Sequence, residues 1–272
     1  MARFGATPFS FPEFRGATRR LILINLFAYF GLLLVLVAFR ADASGFIGAL
    51  GFAPSAFLHG YVWQPFTYSF VHTGILGTLL ELLSLWFMAG FLETMHGANW
   101  VTGLYATSVL GTAVAATVIY AAHGTLGYSL PEIPLFGCFG GIFGLLVAIG
   151  TLYGDIEFIL FPLPIGIKAR YIAVIYALVS LAMMFGAMRM YAFAELGGAL
   201  AGLFFIRLSP RRGFSFAFSE TWYGLRNRYY RWKRRKAARK FEVYMRSQGR
   251  TVRFDGNGRQ IDDDDDDKKR WN

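Results

Sequence analysis

Long apolar runs separated by short polar breaks dominate the chain. Leu21–Phe39, Val101–Ala122, Pro134–Tyr153 and Tyr171–Met188 carry no charged residue. Each is close to the length a helix needs to cross about 30 Å of hydrocarbon at about 1.5 Å rise per residue. Two further runs, Gly74–Leu92 and Met190–Ile206, hold one acidic residue each, Glu81 and Glu195. The pattern predicts an all-α polytopic membrane protein with six spans. No internal repeat is visible. The first run is too long for a signal-peptide core and no small-residue cleavage site follows it, so it is expected to be a retained span.

The connecting segments differ in character. Residues 1–20 form a short lead-in with Pro8 and Pro12, ahead of a membrane domain over residues 21–207. Residues 41–73 are too long for a tight turn and too apolar for a solvated linker. They are expected to lie in the membrane interface, with Trp63 at headgroup level. Residues 123–133 form a short outer loop, and Gly154–Ile167, with Pro162 and Pro164, an inner one. Residues 208–272 form a basic tail. Within it Trp222, Leu225, Tyr229 and Trp232 recur at helical spacing, and Arg226, Arg231, Lys233, Arg234, Arg235 and Lys236 supply the opposite character. This segment is expected to lie on anionic lipid, at about 1 kcal/mol per basic residue. No base-reading module accompanies it, so nucleic acid is not an expected partner. The run Asp262–Asp267 with the following Lys268, Lys269 and Arg270 is expected to be a solvated end.

Composition sharpens the class. A chain that is 55% hydrophobic, 16% charged and of mean hydropathy +0.43 lacks the charge that a soluble surface requires. The net charge of +10 is unevenly placed, with fourteen Lys/Arg between Arg207 and Arg250 against Glu220 and Glu242. Arg3, Arg15, Arg19 and Arg20 precede the first run. The positive-inside rule then puts both termini in the cytoplasm, which an even number of spans requires. The expected location is a multi-pass position in a bacterial inner membrane. The single cysteine, Cys138, excludes an intramolecular disulfide. His59, His72, His96 and His123 show no HExxH spacing, so neither a metal centre nor a cofactor is expected.

Three fragments carry a family resemblance. Trp63-Gln64-Pro65-Phe66-Thr67-Tyr68-Ser69-Phe70-Val71-His72 resembles the rhomboid "W-R/Q…T…F-x-H" loop, and the helix after it reaches Gly90 and Glu93. Gly137-Cys138-Phe139-Gly140-Gly141 resembles the G-x-S-G nucleophile motif. Ala194-Glu195 followed by Gly198 and Gly202 resembles the A-H-x-x-G-x-x-x-G helix. All three occur in the family's order and on the expected spans, across about residues 15–210. The resemblance implies a six-helix rhomboid-like bundle in which Gly198 and Gly202 pack span six on span four, near Gly137, Gly140 and Gly141.

It also implies where the chemistry should be, and there the chain departs. A rhomboid protease uses a serine nucleophile activated by a histidine. The nucleophile position here is Phe139 and the base position is Glu195. The positions implied for the oxyanion donors are Gly77 and Glu81, and an acidic group repels a developing oxyanion. Cys138 is implied to turn away from the base, and His72 to pack the loop. The expectation is a catalytically inactive member that binds the transmembrane helices of client membrane proteins in trafficking, quality control or complex assembly. A fixed structural subunit of a larger assembly is the alternative, and an intramembrane protease is disfavoured by Phe139. Glu81, Phe139, Glu195, Trp63 and His72 are the expected cavity and client-binding residues. A carboxylate at membrane depth is costly enough to suggest function by default.

Overall fold

A computed structural model describes residues 12–39, 43–126, 133–160, 165–186, 188–208, 214–249, 252–254 and 260–261. The expected acidic end at 262–267 lies outside them. The chain forms two compact units, Met1–Phe214 and Ser215–Asn272.

The first unit begins with helix α1 (Gly16–Phe39), which starts five residues earlier than the apolar run. Glu93 sets that start. Its carboxylate accepts from the Ala17 amide at 3.0 Å, the Thr18 amide at 2.8 Å and the Thr18 hydroxyl at 2.6 Å. A helix leaves its first amides without partners, and a carboxylate there also meets the positive end of the helix dipole.

The segment after α1 folds into α2 (Ala43–Leu50), α3 (Pro54–Leu58), α4 (Gln64–Thr67) and a single 3-10 turn, Tyr68–Phe70. Side chains hold these pieces together. The Gln64 amide nitrogen donates to Gly48 O at 2.9 Å, the Trp63 indole to Ala49 O at 2.9 Å, and the Thr67 hydroxyl to Leu50 O at 2.6 Å.

Two long helices follow, α5 (Ile75–His96) and α6 (Ala98–Leu126), then α7 (Phe139–Leu152), α8 (Ala169–Met183) and α9 (Arg189–Leu208). Among the described residues, four helices are long and apolar enough to cross a membrane: Gly16–Ala38, Ile75–His96, Ala98–Ala122 and Arg189–Leu208. The apolar run at 134–153 becomes a helix of only 14 residues, about 21 Å long. Pro134 to Gly137 are not helical. Leu135 pairs with Phe52 through reciprocal 2.8 Å backbone bonds. Gly137 has φ +91, a region that glycine enters without strain. Between α7 and α8 the chain forms a β-hairpin, β1 (Glu157–Leu160) with β2 (Ile165–Lys168), where a loop was expected. Apolar residues on the two sides pair directly, Phe158 with Ile167 and Leu160 with Ile165.

Helices α6, α7 and α9 form the centre of the unit. Small residues let their backbones approach. A Cβ on Gly202 would sit 2.8 Å from Gly144 Cα, and one on Gly198 would sit 2.7 Å from Gly140 O. Side chains added at Gly111 and Gly197 would overlap Ala201 and Ala115 on the facing helix. In lipid, where apolar burial provides no drive between helices, such close packing supplies the attraction.

The second unit contains α10 (Phe214–Ser247) and a two-residue ladder, β3 (Arg253–Phe254) with β4 (Gln260–Ile261).

Candidate functional site

The residues singled out in the sequence gather around the start of α7. Backbone bonds place this start: the Gly137 amide donates to Val71 O at 2.8 Å and to Tyr68 O at 3.1 Å. The outer loop therefore holds Cys138, the N-cap of α7, beside His72. Gly137 is fixed by space as well as by φ, because a Cβ there would lie 2.8 Å from Glu81 Oε2.

A buried polar chain runs through this junction. Asn25 of α1 donates its amide N–H to Leu21 O at 2.7 Å, which turns Oδ1 toward His72 Nε2 at 2.9 Å. The other ring nitrogen, Nδ1, lies 3.1 Å from Glu81 Oε2. The same carboxylate oxygen accepts the Cys138 backbone N–H at 3.1 Å and faces the Cys138 thiol at 3.5 Å. Four separate segments thus meet through Asn25, His72, Glu81 and Cys138, although the histidines gave no metal-like spacing in the sequence. His59 and His96 are placed elsewhere, bonding Ser55 O and the Tyr153 hydroxyl. The side chain of His123 lies outside the described residues.

Glu195 on α9 has a different partner. Its Oε2 accepts from the Ser180 hydroxyl of α8 at 2.6 Å, and both residues are buried. No hydrogen bond joins Glu81 to Glu195 among the described residues. Both carboxylates were expected to be cavity and client-binding residues. Each bonds within the bundle: Glu81 ties α5 to the loop and to α7, and Glu195 ties α9 to α8. Burial requires such partners, since an unpaired carboxylate away from water is costly.

Phe139 is the first residue of α7 and is 38% exposed, so its ring borders the surface rather than filling the core. Gly77 looks into open space, with no atom within 4 Å of a Cβ built there. Gly140 and Gly141 admit Thr112 and the Tyr105 ring of α6, so they pack α7 on α6, while Gly198 and Gly202 face α7. Trp63 is half exposed while its indole N–H is bonded.

On α10, Arg226, Arg231, Trp232, Lys233, Arg234 and Lys236 are exposed. The Lys236 ammonium sits 5.2 Å above the Trp232 ring, and the Tyr229 and Trp232 rings lie 6.3 Å apart. The side chains of Trp222 and Arg235 lie outside the described residues.

A family described as "Eukaryotic integral membrane protein (DUF1751)", part of the rhomboid-like clan, matches residues 22–213. The chain belongs to this family. The match spans α1 to α9 and so covers every residue of the junction described above. A search among curated proteins finds no match. Membership makes the protein an integral membrane protein. The family is described as eukaryotic, which leaves the expected bacterial inner membrane without support.

Within this DUF1751 protein, Asn25 and Ser180 were not singled out in the sequence. Each is a lone polar residue in an apolar run, LILINLFAY for Asn25 and YALVSLAMM for Ser180. That is the signal that finds them, because a polar group at membrane depth demands a partner.

Proposed function

We propose that this DUF1751 protein is a rhomboid-like membrane protein that does not cleave peptide bonds and instead holds the transmembrane helices of other membrane proteins. The observation that carries the reading is the pair of substitutions at the positions where the resemblance implies nucleophile and base. Phe139 has no nucleophilic atom, and Glu195 is bound to Ser180 rather than aimed at an attacking group. The only thiol nearby, Cys138, is fully buried at 0% exposure and closed off from a substrate.

In this reading six apolar helices cross the bilayer with both termini in the cytoplasm. Helices α7 and α8 are short, but α7 is buried along Gly140–Leu146 and lies among its neighbours rather than in lipid. Client helices approach α5 and α8, whose outward faces are apolar: Leu79, Leu80 and Leu83 on one, Val174, Leu178 and Leu181 on the other. The client's own class of partner is a membrane helix, recognised by packing. The tail, through Trp232 and its flanking basic residues, holds the inner leaflet.

The purified protein, offered rhomboid substrates and a fluorophosphonate probe, should leave the substrates intact and remain unlabelled. Cleavage, or labelling anywhere between Gly137 and Gly144, overturns the reading. Phe139→Ser with Glu195→His should stay far below a protease, because each missing oxyanion donor costs about 10²–10³ in rate.

A further inference from the structure

The contact between His72 and Glu81 contains a conflict that proton counting exposes. Asn25 Nδ2 is committed to Leu21 O, so Asn25 presents its carbonyl oxygen to His72. His72 Nε2 must therefore carry a proton and donate it. A neutral imidazole has one N–H, which leaves Nδ1 as a bare lone pair. That lone pair points at Glu81 Oε2 from 3.1 Å, and the same oxygen already accepts the Cys138 amide. Two acceptors at hydrogen-bond distance repel unless a cation lies between them. The cation is either a second proton on the pair or a metal ion.

We propose that it is a metal ion of the zinc type, ligated by His72 Nδ1, Glu81 Oε2 and Cys138 Sγ. These three atoms lie within 4.8 Å of one another. Zinc takes nitrogen and oxygen near 2.1 Å and sulfur near 2.3 Å in tetrahedral geometry, which sets N···O edges of about 3.4 Å and S···O edges of about 3.6 Å. The corresponding distances are 3.1 Å and 3.5 Å.

The surroundings fit as well as the ligands do. Metal-bound histidines donate their other N–H to a carbonyl or carboxylate, and Asn25 Oδ1 is placed to receive it. The ligating carboxylate is itself held, by the Cys138 amide. One carboxylate, one thiolate and a neutral imidazole cancel a divalent charge, so the loaded cluster is neutral, as a site this buried requires. Three protein ligands leave one of four positions to water. The ion would fasten the outer loop to α5 and to the start of α7, and α1 would support it from behind.

Charge balance gives the site a signature. A metal takes the cysteine as thiolate and the imidazole through a free lone pair, so binding releases protons and affinity rises with pH.

Cobalt(II) is the probe. The untagged full-length chain, purified in mild detergent and stripped with chelator, is titrated with cobalt in weak buffer. One equivalent should bind, with intense visible bands of tetrahedral cobalt and a near-ultraviolet thiolate-to-cobalt charge-transfer band, and protons should be released on binding. Zinc should displace the colour. Cys138 is the single cysteine of the chain, so that charge-transfer band has one possible source. Asn25→Leu should weaken binding about 10–100-fold while keeping the spectrum. No charge-transfer band in the unaltered protein, or one that persists in Cys138→Ser, overturns the proposal and leaves a proton as the bridging cation.

Discussion

Glu195 on α9 accepts a 2.6 Å hydrogen bond from Ser180 on α8, at the position where the rhomboid resemblance implies a histidine base. The carboxylate is a strut between two helices. Ser180→Ala removes its partner and leaves a buried acceptor unmet, which should cost about 1–2 kcal/mol. Glu195→Gln should cost less, because the amide oxygen still accepts from Ser180. Thermal unfolding of the two variants in the same detergent distinguishes them, and equal losses would contradict the strut.

Glycines on two helices should respond with opposite sign to the same change. Gly77 of α5 has open space around a Cβ, so Gly77→Ala should stabilise by about 0.5–1 kcal/mol through helix propensity alone. A Cβ at Gly198 would press on the Gly140 carbonyl at 2.7 Å, where backbone rather than a flexible side chain must yield. Gly198→Ala should therefore lower the unfolding midpoint, by a shift equivalent to about 1–3 kcal/mol. A neutral result at 198 would mean that α9 does not seat on α7 as described.

The tail makes an electrostatic prediction. A peptide covering Trp222–Arg250 should become helical on vesicles containing anionic lipid and far less so on neutral ones. Added salt should release it, since the Debye length shrinks from about 10 Å at 0.1 M to about 3 Å at 1 M. Binding indifferent to lipid charge and to salt would remove anionic lipid from the account.

The sequence exposes some of this architecture far better than the rest. The long runs that became α1, α5, α6 and α9 were legible because twenty or so apolar residues have few other stable arrangements. The run around Cys138 misled because hydropathy cannot register Gly137 at φ +91 or the Phe52–Leu135 pairing that keeps its first residues extended. Glu81 and Glu195 stood out as costly groups, but their partners did not. Asn25 lies 47 residues from His72, and Cys138 lies 57 residues from Glu81, so no local spacing joins them. Ser180, in turn, looked like one small residue in an apolar helix. That Phe139 and Glu195 stand where a nucleophile and a base would be was readable only against the rhomboid pattern, because hydropathy marks Glu195 as costly but assigns neither residue a role.

A protein that holds membrane helices without cutting them should be caught doing so by photocrosslinking. A photoreactive residue is placed in turn at Leu79 and Leu83 of α5, at Val174 and Leu178 of α8, at Val114 of α6, and at Trp232 of the tail. The full-length protein is then illuminated in its native membrane. Adducts to transmembrane segments of other proteins should form from the α5 and α8 positions and none from Val114, with the captured protein uncleaved. Several partners would mark a client receptor, and a single stoichiometric one would mark a fixed subunit that uses the same faces. Adducts from Trp232 alone, or captured proteins recovered as cleaved fragments, would contradict that role.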